Sequence, residues 1–295
     1  MELTGGIGFA IVLTGVLAAG ATALLGSVLV VRGQAMLTDA ISHGIVLGIA
    51  VTFLVTGQVS GPLQLLGAGL AGFLTVTVTG ALAASGRLKR DAATALVFPA
   101  FFAAGILLIS LFARNAHVDA HTVLLGEIGF VWLDNVRVLG LTLPRTAVTL
   151  AGVFALNLAF VTLFRKQLEA AAFDPVLATL QDLKPRLTTA LLLALTSVTA
   201  VAALDAVGVV LFVAFAIVPA VTARLVSGSF GAMMLTSVLI AMACAVFGYP
   251  LAVWADVSIG GSMAALTGVP LLLALGALLW RRRRNSRVTA PRQMS

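Results

Sequence analysis

The chain has 295 residues, 60% of them hydrophobic and only 10% charged, with a mean hydropathy of +1.12. A water-soluble domain carries about a quarter charged residues, so a disordered chain, a disulfide scaffold and an ordinary cytosolic enzyme are excluded. The formal net charge of +7 would suggest nucleic acid in a soluble protein, but here it fits the Lys and Arg enrichment of cytoplasmic membrane loops, and no nucleic-acid partner is expected.

Apolar blocks of eighteen or more residues recur along the chain, the signature of bilayer-spanning helices. They predict an all-α, polytopic membrane helical bundle with spans near 5–31, 36–56, 62–84, 92–113, 146–164, 187–204, 207–226, 231–251 and 258–280. The first block has no basic segment before it and reads as a retained helix, not a cleaved signal. Only a short break at Asp205 separates the sixth and seventh spans. The count is therefore about nine, or eight with a broken helix around 205–225. Pro99, Pro219, Pro250 and Pro270 mark kinks within or at the edge of apolar blocks, and the 29 glycines suit close helix packing in lipid. Residues 1–285 read as one transmembrane domain and 286–295 as a basic cytoplasmic tail.

The basic residues predict the orientation. With the N-terminus outside, 15 of the 18 Lys and Arg fall inside: Arg32, Arg87, Lys89, Arg90, Arg165, Lys166, Lys184, Arg186, Arg224 and the six of the C-terminal segment from Arg281. Only Arg114, Arg137 and Arg145 stay outside, so the C-terminus is expected in the cytoplasm. The outside segment 114–145 is the longest loop. Its apolar piece, 123–133, is too short to span, and Asp119, Glu127 and Asp134 make it either a docking face or an ordinary solvated loop.

An ionisable group inside a span is costly and therefore a functional candidate. The sharpest case is Asp39-Ala40-Ile41-Ser42-His43 in the second span. Residues four apart lie about 40° from each other around a helix, so Asp39 and His43 share a face, with Ser42 beside Asp39. A carboxylate oxygen and an imidazole nitrogen one turn apart suit a divalent first-row metal. A buried structural ion pair and a solvated cap at the helix end are the competing readings. Two side chains also leave a four- to six-coordinate ion mostly unsatisfied, which points to a partner helix or a second copy. His117 and His121 flank Asp119 in the outside loop, where they either collect cations at an entrance or are simply solvated. Asp205, at the outer end of span six, lines the pathway or faces water.

Other chemistries find no support. The single Cys244 excludes an intramolecular disulfide and a Cys-based zinc site. Met233, Met234 and Met242 do not build a thioether site for copper(I). No Gly-x-x-x-x-Gly-Lys-Ser/Thr segment offers a P-loop. Gly260-Gly261-Ser262 faintly resembles a serine-nucleophile turn, but no histidine follows residue 121. Passage of a solute, not catalysis, is expected.

The stretch Leu37-Thr38-Asp39-Ala40-Ile41-Ser42-His43-Gly44-Ile45-Val46-Leu47-Gly48-Ile49-Ala50 resembles the hallmark of permease subunits of ATP-binding-cassette importers for manganese, zinc and iron. Three further stretches are similar to that family in order: Gly86 to Ala93, Phe173-Asp174-Pro175-Val176-Leu177-Ala178, and Val207 to Leu225. The resemblance runs from about residue 5 to 280. It implies a bacterial cytoplasmic-membrane permease with no permanently bound cofactor, working with a second copy or a sister permease, two cytoplasmic ATPase subunits and an extracytoplasmic metal-binding protein. It implies that Asp39 and His43 coordinate the passing ion. The inside turn holding Arg224, Leu225, Ser227, Gly228 and Phe230 resembles the seat of the coupling helix on the ATPase, with the 165–186 loop in support. The segment from Asn115 to Ile128 looks closer to the manganese-type branch, with zinc or iron next. Where the family usually has a glycine shortly after Phe-Asp-Pro, this chain has Asp182. The alternatives are a proton- or sodium-coupled secondary transporter, with Asp39 and His43 as a relay, and a membrane protein that transports nothing.

Overall fold

The computed structural model describes residues 2–57, 62–112, 128–138 and 140–288. In chain order these form α1 (Glu2–Val31), α2 (Met36–Thr56), α3 (Pro62–Ala84), α4 (Arg90–Phe112), a 3₁₀ turn (Ile128–Leu133) and a β-hairpin, β1 (Asn135–Val138) with β2 (Leu141–Pro144). Then follow α5 (Arg145–Leu163), α6 (Arg165–Phe173), α7 (Pro175–Leu180), α8 (Pro185–Val226), α9 (Phe230–Ala255) and α10 (Ile259–Val288). Among the described residues, eight helices are long and apolar enough to cross a membrane: α1 to α5 and α8 to α10. The predicted helical bundle is therefore present. The β-hairpin is an addition, with antiparallel pairing of Val136 to Leu143 and Val138 to Leu141, where apolar residues alternate with polar ones.

The eight long helices make nine crossings. α8 has 42 residues, about 63 Å at 1.5 Å per residue, twice the ~30 Å hydrocarbon core. Both of its ends nevertheless meet the same end of α1. The Arg32 guanidinium donates to Thr189 Oγ1 at 2.9 Å, and Arg224 donates to the Val30 carbonyl at 3.4 Å. Its middle lies at the opposite end of the bundle, where Val207, Val210 and Leu211 line a cavity of about 360 Å³ with residues of 128–130 and 258–261. The chain reverses at Gly208, the one residue of α8 off helical geometry, with φ 73° and ψ 174°. That region of backbone space is essentially closed to side-chain-bearing residues. Arms 185–207 and 209–226 are thus two passes, and the break falls three residues beyond Asp205.

Charge divides between the two ends. Arg32, the α3–α4 turn with Arg87, Lys89 and Arg90, the segment 165–186 and Arg224 gather at one end, while Asp134, Arg145, Asp205 and Asp256 belong to the other. The core runs along α1 and both arms of α8, where Leu25, Leu29, Leu192, Leu211, Phe212 and Phe215 are fully buried. Asn157 of α5 is buried among them. Its amide nitrogen donates to the Ala21 carbonyl at 3.2 Å and to Thr199 Oγ1 at 2.8 Å, tying α1, α5 and α8 together, while Oδ1 has no partner among the described residues.

Candidate metal pathway

α2 begins directly after a tight turn. Gly33, at φ 65°, closes α1 by donating to the Val30 carbonyl, and Gln34 donates to Leu29 five residues back. This is the paired bonding of a Schellman helix end. Met36 then opens α2, so Asp39 sits in its first turn and His43 about 10 Å along the axis from its start. His43 Nε2 lies 3.5 Å from Asp39 Oδ1, and both side chains are partly exposed, at 26% and 29%. Nδ1 of His43 is buried and has no partner among the described residues. Ser42 takes a different part: it is fully buried, and its hydroxyl donates to the Asp39 carbonyl at 2.7 Å.

Helix α4 walls the imidazole. Phe102 meets the His43 ring edge-on at 5.2 Å and Phe98 lies tilted against it at 5.7 Å. α4 comes this close because Gly105, one turn further on, touches the α2 backbone. A Cβ there would lie 2.8 Å from Leu47 N and 3.0 Å from its Cα. The sequence reading missed this wall, although Phe98 and Phe102 stand four apart with Gly105 three beyond, one helical face that carries its own signal.

Asp39 and His43 together present one carboxylate and one imidazole to an ion. Among the described residues no group of three or more His, Cys, Asp or Glu side chains gathers. Asp205 does not join the pair: it is exposed at the Gly208 end, within electrostatic reach of Asp134 and Arg145. His117, Asp119 and His121 lie outside the described residues.

The segments assigned to coupling meet at the Arg32 end. Arg224 closes α8, Ser227 continues in an extended conformation with its hydroxyl on Thr236 Oγ1 at 3.4 Å, and Gly228 and Ser229 lead into α9. Phe230 is 5% exposed and meets Phe173 of α6 edge-on at 6.1 Å. Asp174 caps α7 through the amides of Val176 and Leu177. Asp182 adopts φ 54°, a left-handed backbone conformation that glycine takes most easily. Arg32, not singled out in the sequence, bonds Thr189 and, at 3.4 Å, the Ala171 carbonyl. Burial, and then the charge of Arg90, lowers its pKa from the ordinary guanidinium value.

A bundle of eight long apolar helices with a carboxylate and an imidazole paired on one of them is an integral membrane protein carrying an uncommon polar pair. The chain belongs to the ABC 3 transport family, whose model matches residues 7–277. It is 40% identical over 260 residues to the manganese transport system membrane protein MntD of Bacillus subtilis, covering 88% of each chain. It is likewise 40% identical over 259 residues to the zinc transport system membrane protein TroD of Treponema pallidum, covering 88% of this chain and 71% of that one. Its fold matches PsaBC from Streptococcus pneumoniae, solved in complex with Fab, with a TM-score of 0.74 and 25% identity, over 90% of this chain and 89% of the other.

Proposed function

We propose that the chain is the permease subunit of a bacterial ABC importer that carries a divalent transition metal, Mn²⁺ before Zn²⁺ or Fe²⁺, past Asp39 and His43. The observation that carries this reading is the Asp39–His43 pair, 3.5 Å apart, one turn apart and within the second span. Its oxygen and nitrogen donors, with no thiolate beside them, suit manganese, and MntD carries manganese in its name. TroD, equally similar, carries zinc, and any such site binds zinc more tightly than manganese. Supply therefore helps decide which ion passes.

Two ligands per chain call for a second copy or a sister permease that contributes its own pair. The basic residues gathered at the Arg32 end support a cytoplasmic position for that end, with the N-terminus outside. There the turn from Arg224 to Phe230 and the 165–186 loop seat the separate ATPase subunits, which hydrolyse ATP. An extracytoplasmic metal-binding protein delivers the ion at the Gly208 end.

The test is metal accumulation in cells that carry the ATPase and binding protein with the wild-type, Asp39→Ala or His43→Ala permease. Manganese, zinc and iron are read by mass spectrometry. Loss of one metal in both variants, at unchanged permease level in the membrane, is expected and names the substrate. Unchanged content of all three metals would overturn the assignment.

A further inference from the structure

Three hydrogen bonds donated by arginine side chains converge on the few residues that join α1 to α2. Arg224, from the end of α8, donates to Val30. Arg32 reaches Ala171 at the end of α6 and Thr189 at the start of α8. Both acceptors flank the segment 173–183, whose Phe173 touches Phe230 in the turn after α8. On the other side of Arg32 the Gly33 turn is closed by two backbone hydrogen bonds, and α2 follows without slack. Asp39 is seven residues from Arg32 and His43 eleven. A displacement of the 165–186 segment therefore reaches the pair through hydrogen bonds and a short rigid turn, with no flexible loop between.

Arg32 is unusual at this spot. It lies in the field of another cation, Arg90, and its Nε is buried without a partner among the described residues. A half-buried guanidinium with its Nε buried and unpaired, in the field of a like charge, is costly to keep, so a smaller polar residue would serve a purely structural brace better. What Arg offers is a planar fork that reaches two acceptors on different elements at once, here one on α6 and one on α8.

We infer that Arg32 is a positioning residue that couples movement of the ATPase-facing segment 165–186 to the Asp39–His43 pair, by tying the α1–α2 turn to Ala171 and Thr189. This rests on the importer reading above. Its loss would leave ATP hydrolysis running while the pair no longer follows.

The test uses the whole transporter in proteoliposomes: permease, ATPase and binding protein, with Mn²⁺ as the probe. ATP hydrolysed and ions taken up are measured together. Arg32→Lys keeps the charge but cannot fork across both acceptors, and Thr189→Val removes one acceptor without touching the arginine. Arg32→Lys is expected to raise the ATP-to-ion ratio at least about fivefold, with basal hydrolysis within about twofold of wild type. If Arg32→Lys fails to assemble, Thr189→Val carries the same expectation. A structural brace would lower both rates in proportion, so an unchanged ratio overturns the inference. A wild-type transporter that hydrolyses ATP without taking up Mn²⁺, Zn²⁺ or Fe²⁺ would overturn instead the function on which the inference depends.

Discussion

Replacing Gly105 by Ala tests whether the aromatic wall belongs to the site. The added Cβ would stand 2.8 Å from Leu47 N and 3.0 Å from both Leu47 Cα and the Val46 carbonyl carbon. These are backbone atoms of a packed helix, so neither can swing aside. Reaching the ~3.5 Å of ordinary contact pushes α4 about 0.7 Å off α2. Overpacking of this kind costs ~1–3 kcal/mol. Phe98 and Phe102, two turns and one turn before Gly105, ride on the displaced helix, and their contacts at 5.7 and 5.2 Å fix the imidazole ring. A loss of ~1.4 kcal/mol in holding that ring corresponds to about tenfold in rate. The assay is initial manganese uptake in cells, normalised to permease in the membrane fraction. Gly152→Ala on α5, which meets nothing within 4 Å, is the control. Equal uptake by the two variants would refute the claim that the α2–α4 contact positions His43.

Other substitutions probe the scaffold. Asp182→Gly should raise stability by up to ~1 kcal/mol, read as a higher melting temperature of the purified permease, because glycine takes φ 54° without the Cβ cost that even Asp carries in part. Gly208→Ala should cost ~1–3 kcal/mol at φ 73°, seen as a lower melting temperature and less permease in the membrane. Asn157→Ala should cost about 1 kcal/mol, since hydrogen bonds between helices in a bilayer are worth ~0.6 kcal/mol on average and this one amide makes two. In a double-mutant cycle with Thr199→Val the two losses should fall short of additive.

The bundle was legible because each span announces itself by composition. Eight of the long helices begin or end within a few residues of the apolar blocks, since charge and Gly or Pro terminate them. The reversal inside α8 was only half legible. Asp205 marks the interruption, but the turn itself needs the positive φ of Gly208, and a glycine in a chain with 29 of them carries no separate signal. The Asp39–His43 pair could be read from spacing alone because a helix fixes the geometry of residues four apart. The partners across helices could not: which face of α4 meets α2, and where the Arg32 guanidinium lands, depend on packing between segments far apart in sequence. Likewise β1 and β2 are short, and four-residue alternations are too brief to stand out beside twenty-residue apolar blocks.

The sparseness of the pair suits transport better than a complete site would. An ion held by four or more ligands of one chain inside a low-dielectric span would be stable in place, and its release would need several bonds broken at once. On the proposed function, one carboxylate and one imidazole from each of two copies would hold an ion well only while the copies bring their pairs together. Relative movement of two such copies would then change the ligand count itself, from four to two, without either chain refolding. The remainder of the architecture fits that economy. Asp39 and His43 stand on a helix that starts from a closed turn, and that turn is tied at Arg32 and Val30 to α6 and to both ends of α8. On that reading, a small rotation at the Arg32 end would be enough to make or break coordination about 10 Å along α2. The same economy explains why Ser42, hydrogen-bonded to the α2 backbone, need not serve as a ligand.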